Sequence, residues 1–133
     1  MATLKDSAGN PIDFEEGESA DLIVVFEDMA STPTQVPLAS LITVTFTLFV
    51  KETKKIINSR NAQDVKNTND GTIASGGTLT MRLGPSDNAI KGKSSRETHV
   101  ARFTWTWNDG VAVRTGKSML YEFDVFNHPD LLS

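Results

Sequence analysis

Residues 41–50 read LITVTFTLFV, and residues 97–107 read ETHVARFTWTW. Both stretches alternate. A two-residue period sends successive side chains to opposite faces, which is the pattern of a strand and not of a helix. In the first stretch Ile42, Val44, Phe46, Leu48 and Val50 share one side; Thr43, Thr45, Thr47 and Phe49 share the other. In the second, His99, Ala101, Phe103, Trp105 and Trp107 oppose Thr98, Val100, Arg102, Thr104 and Thr106. A strand with one strongly apolar side is stable only when a second layer covers it.

The same reading extends along the chain. DLIVVFED (21–28) is a short apolar run rich in β-branched residues and bounded by acids, the signature of a buried strand. TLTMRL (78–83) alternates and points Leu79, Met81 and Leu83 inward. Residues 117–127, KSMLYEFDVFN, place Met119, Tyr121, Phe123 and Val125 on one face. NDG (108–110) predicts a hairpin joining this strand to the one before it. Gly9, Asn10 and Pro11 predict an early turn, and residues 14–22 a loop. Ile56–Ile57 starts a short strand, and 59–67 is one helical turn or a short edge strand. No helical pattern exceeds two turns. The expected fold is all-β: one domain over 1–133, an antiparallel immunoglobulin-like sandwich of about seven or eight strands, with a small barrel as the alternative.

Composition limits the chemistry. With 13 basic and 17 acidic residues the net charge is −4, which argues against a nucleic-acid partner needing a basic face. Lys91, Lys93 and Arg96 form the densest basic cluster, within a Gly/Ser-rich loop read as solvated. Without cysteine there is no disulfide, thiolate nucleophile or Cys-based zinc site. MATLKDSAGN has no apolar signal core, and Leu41–Val50, interrupted by three threonines, is too short to span a bilayer. A protein made without export, and without a membrane partner, is expected.

Candidate sites are sparse. His99 and His128 lie in no metal-ligand spacing, so His99 reads as a sheet residue and His128 as tail. Asp13, Glu15, Glu16 and Glu18 are dense but lack a calcium-loop pattern and read as a solvated acidic loop. GxSxG is absent, and the glycine turns lack a phosphate-loop lysine. No enzyme, metal or cofactor is expected. What remains is binding surface: the hairpin tip with Trp107, Asp109, Val111 and Arg114, and the polar side of the first strand with Thr43, Thr45 and Thr47.

TLKDSAGNPIDFEEGESADLIVVFED, TFTLFVKETKKIINSRNAQDV, LTMRLGPSDNAI and ETHVARFTWTWNDG together resemble small structural proteins of tailed-bacteriophage virions built as immunoglobulin-like sandwiches. The last two phrases are similar to the E, F and G strands of such domains, with Asp87 where an acid ties the E–F turn. The cysteine pair, and a tyrosine two residues before its second member, are missing. The resemblance implies a non-enzymatic assembly protein of the head, neck, tail or baseplate. It would be assembled in bacterial cytoplasm and contact other virion proteins and copies of itself.

The aromatic ladder allows two readings. Exposed, it would be a platform for stacking sugars, as in a carbohydrate-binding or adhesin-type module. Buried, it is the inner side of a central strand, with Trp107 beside the hairpin the most open. The threonines opposite it favour burial. Trp105→Ala is then expected to lower unfolding free energy by ~3–5 kcal/mol in urea titrations. An unchanged midpoint would favour the platform.

Overall fold

A computed structural model describes residues 2–3, 12–92 and 94–127. The early turn at Gly9–Pro11, Lys93 and the tail with His128 lie outside the described residues. The strands are β1 (Ala2–Thr3), β2 (Asp13–Glu15), β3 (Ala20–Val25), β4 (Leu41–Val50), β5 (Gln63–Asp64), β6 (Gly71–Ile73), β7 (Thr78–Leu83), β8 (Arg96–Asn108), β9 (Val113–Thr115) and β10 (Met119–Phe126). A 3-10 turn, Leu38–Ser40, leads into β4.

Two open sheets face each other. The larger runs β1–β10–β8–β4–β5, with β2 joining β10 and β9 joining β8; the smaller runs β3–β7–β6. The fold is a β-sandwich and not a closed barrel. The order β3–β7–β6 against β10–β8–β4 matches B-E-D against G-F-C in immunoglobulin lettering. Two details refine that expectation. The sheet is not wholly antiparallel, because β1 and β2 run parallel to β10. Ten strands replace seven or eight because two are broken. β1 and β2 line the same edge of β10, and the return from the hairpin is split into β9 and β10.

Gly116 accounts for the second break. A Cβ there would overlap the indole carbons of Trp105, so only glycine lets the chain cross that ring. Its N–H donates to the Trp105 carbonyl at 3.0 Å before β10 begins.

The alternation places the core. Val44, Phe46 and Leu48 of β4, Phe103 and Trp105 of β8, and Phe123 and Val125 of β10 are buried. They cover Leu22 and Val24 of β3 and Leu79, Met81 and Leu83 of β7. Phe46 and Phe103, directly paired, stack at 4.8 Å. Each such side chain contributes about 1.5–3 kcal/mol of burial. Ile42 is the exception on its face. The register shifts between Leu41 and Thr43, so Leu41 takes the buried place opposite Trp107 and Ile42 is exposed. β3 is also not buried on both sides: among the described residues none covers the outer face of the small sheet. Leu22 and Val24 face inward, whereas Ile23 and Val25 face solvent. Asp13–Glu15 is strand where a loop was expected.

Asp87 does tie the turn between β7 and β8. Its carboxylate accepts from the Gly84 N–H at 2.8 Å and from Asn58 Nδ2 at 2.8 Å. Arg60, from the loop after β4, donates Nε and Nη2 to it at 2.9 and 3.0 Å. The rest of the guanidinium reaches Gln63 Oε1, the Asn69 carbonyl and Asp70 Oδ2. Both Arg60 and Asp87 are buried. Burial alone would raise the Asp87 pKa, but the bonds from Arg60, Asn58 and Gly84 together hold it below the ordinary range. Asp87→Ala should cost ~3–5 kcal/mol by stranding a buried cation. Combining it with Arg60→Met should cost at least ~1 kcal/mol less than the sum of the two single changes in urea unfolding. Strict additivity would show that the pair is not coupled.

Candidate functional site: the loop end around Trp107

Three connections meet at one end of the sandwich: the turn after β3 (27–35), the 3-10 turn, and the β8–β9 hairpin tip. The first is closed by Asp28, whose Oδ1 accepts from the Ala30 and Thr34 N–H groups at 3.2 and 3.0 Å. The hairpin tip is closed by Asp109. Its Oδ1 accepts from the Val111 and Ala112 N–H groups at 2.8 Å each, and its Oδ2 from Arg114 Nε at 2.6 Å. These bonds, led by the Ala112 N–H, pull the Asp109 pKa down to about 2. Its carboxylate therefore stays ionised at any ordinary pH and serves the turn's own geometry. Gly110 supplies the positive φ of 95° that the tip requires.

Trp105 and Trp107 part ways here. Trp105 is 2% exposed; its Nε1 donates to the Lys117 carbonyl at 2.9 Å and its ring packs on Phe26 at 5.1 Å. It belongs to the core. Trp107 stacks on it at 6.5 Å but is only partly buried. On one side of Trp107 a cleft of about 500 Å3 is lined by Met29, Ala30, Asp109 and Arg114. On the other, a cleft of about 420 Å3 is lined by Ala39, Ser40, Asn108 and Gly110. Met29, 76% exposed, lines the first cleft; Val111, 92% exposed, stands at the hairpin tip, and Val113 pairs with Asn108, on the opposite face from Trp107.

Of the residues expected at a contact surface, Trp107, Asp109 and Arg114 meet in one cleft, with Val111 at its tip. Thr43 and Thr45 lie apart, on the outer face of the larger sheet. Thr43 shares a 2.6 Å hydroxyl bond with Thr106, and Thr45 pairs with Thr104 in the same way. Thr47 does not belong to an exposed surface. It is buried beneath the loop after β4, and its hydroxyl accepts from the Ala62 N–H at 2.9 Å. Met29 escaped notice in the sequence; the available signal was one large apolar residue inside the Ser/Thr/Pro loop MASTPTQVP.

The polar candidates elsewhere are engaged in structure. Asp13 and Asp124 pair with Arg96, at 3.3 and 3.0 Å. Glu16 accepts from the Ile90 N–H and Asn127 Nδ2, and Glu18 from the Glu15 N–H. Among the described residues no three His, Cys, Asp or Glu gather as a metal site, and no helix is long and apolar enough to cross a membrane. His99 is wholly buried on β8, its Nε2 2.8 Å from Glu97 Oε1. Glu97 also accepts from the Lys91 and Gly92 N–H groups, clamping that loop. Burial lowers the His99 pKa more than Glu97 raises it, so His99 is neutral and donates from Nε2.

No family model, curated protein or solved structure matches the chain.

A histidine whose folded pKa is depressed contributes stability above its unfolded value and loses it as pH falls through that value, ~6.5. The melting midpoint should therefore decline between about pH 7.5 and 5.5. His99→Phe should flatten that decline. A wild-type midpoint constant over this window would contradict the assignment.

Proposed function

We propose that the chain is a non-enzymatic assembly protein, acting through protein–protein contacts made at its Trp107 end. One observation carries this reading: a partly buried Trp107 and an exposed Met29 line one cleft, with Val111 exposed at the hairpin tip, on loops braced by Asp28 and Asp109. The core is completed without them. Apolar side chains left outside forfeit about 25 cal/mol per Å2, a loss a partner surface would recover. A partly buried tryptophan beside an exposed methionine has the make-up of an interface anchor. A tailed-bacteriophage virion is the context implied by the resemblance of the strand and turn phrases. In it the chain would occur in many copies, contacting itself and other virion proteins. Reading the chain as a carbohydrate-binding module is less well supported, because Trp105 is committed to the core and leaves a single ring for stacking.

The test is co-expression with the products of neighbouring genes, followed by light scattering and native mass spectrometry. A defined complex or homo-oligomer is expected. Trp107→Ala should weaken it about thirtyfold, the effect of losing a 2 kcal/mol anchor. Met29→Asp with Val111→Asp should abolish it at an unchanged urea midpoint. A partnerless monomer retained on glycan resin would overturn the proposal.

A further inference from the structure

β3 lies at the border of the smaller sheet. β7 pairs with it over all six residues without a register shift, from Ala20↔Leu83 to Val25↔Thr78. On its other side no described residue pairs with it. In an antiparallel strand every second residue turns its N–H and C=O away from the partner, so this edge presents a row of backbone groups that no described residue engages. Protein edges are usually blunted by lysine, proline, a bulge or shortness. ADLIVV carries one charge, Asp21, but no lysine, proline or bulge, and it runs six residues. Its outward face adds Ile23, 60% exposed, and Val25.

Charge narrows the choice of occupant. Exposed Glu18 and Asp21 flank one end of β3, and Glu27 and Asp28 the other. Arg82 stands opposite Asp21 and offsets one of these charges. A second copy pairing β3 against β3 in antiparallel fashion would bring Glu18 and Asp21 toward the other copy's Glu27 and Asp28. Facing like charges destabilise a strand pair. A strand with basic ends meets attraction at both.

We propose that the free edge of β3 accepts an extended segment of a partner protein as an added strand, one alternating in apolar residues and carrying Lys or Arg at both ends. Backbone hydrogen bonds would supply affinity, Ile23 and Val25 the apolar contact, and the flanking acids the selectivity. The proposal rests on the reading of the chain as an assembly protein. It uses the edge of β3 and not the Trp107 cleft, and the two share only the turn that begins at Glu27, so each can fail without the other.

The experiment is amide hydrogen exchange on the full chain, with a synthetic peptide of alternating valine and threonine bearing two lysines at each end. At saturation, exchange at residues 20–25 should slow at least ~tenfold while residues 107–114 are unaffected. The effect should fade between about 20 and 500 mM salt, where screening becomes short-ranged. A peptide with glutamates in place of the lysines should give no protection. Ile23→Lys, at an exposed position, should abolish the effect at an unchanged melting midpoint. The proposal is overturned if the lysine peptide gives no protection at 20–25 or if both peptides protect equally. It is also overturned if all amides of 20–25 in the free monomer are already as protected as the core.

Discussion

The Arg60–Asp87 pair is the interaction on which the lower half of the sandwich depends. It joins the loop after β4 to the turn between β7 and β8, and so couples the two sheets through polar atoms. A buried guanidinium is tolerable only when its donors are matched. Here all five N–H groups meet an acceptor: two bonds to Asp87, and one each to Gln63, the Asn69 carbonyl and Asp70. The backbone bends to supply them. Asn58, Ser59, Ala62, Asn67, Asn69 and Asp70 all take positive φ along the loop that wraps the arginine. Most are Asn or Asp, which accept that conformation most readily. The strain in the loop and the satisfied cation are two parts of one arrangement.

With that end tied by polar bonds, the opposite end is free to serve as surface. Its turns close on their own carboxylates, Asp28 and Asp109, and need no neighbour to hold shape. Trp107 is anchored from below by Trp105, which Gly116 and the Lys117 carbonyl fix in turn. Apolar side chains are therefore displayed on a braced frame, which lowers the ordering cost of a contact made there. The edge of β3, unpaired among the described residues, presents backbone groups beside the side chains of Ile23 and Val25.

Much of the frame was legible in the chain. Strict alternation located β4, β7, β8 and β10 and assigned their inward residues apart from Ile42, because the two-residue period is a property of the extended backbone itself. NDG located the hairpin, and Asp87 was recognisable as the acid that ties a turn. The site was legible only in part. Trp107, Asp109, Val111 and Arg114 lie within eight residues of one another, so a local reading could group them. Met29 joins them from about 80 residues away, and proximity of that kind leaves no local trace. Thr47 looked equivalent to Thr43 and Thr45 until a loop fifteen residues further on covered it.

Sequence alone determined that the fold is all-β: period-two strands and turn residues allow a sandwich or a small barrel, and the two open sheets decided for the sandwich. It also determined that the tryptophan ladder would face one side. Tertiary structure decided which tryptophan is core and which is surface, since that depends on where Gly116 crosses the sheet. It decided that Ile42 is exposed and Leu41 buried, through a one-residue register shift. It placed Ile23 and Val25 in water, on the outer face of the small sheet. Each of these outcomes turns on which segment packs against which, and side-chain periodicity carries no record of that.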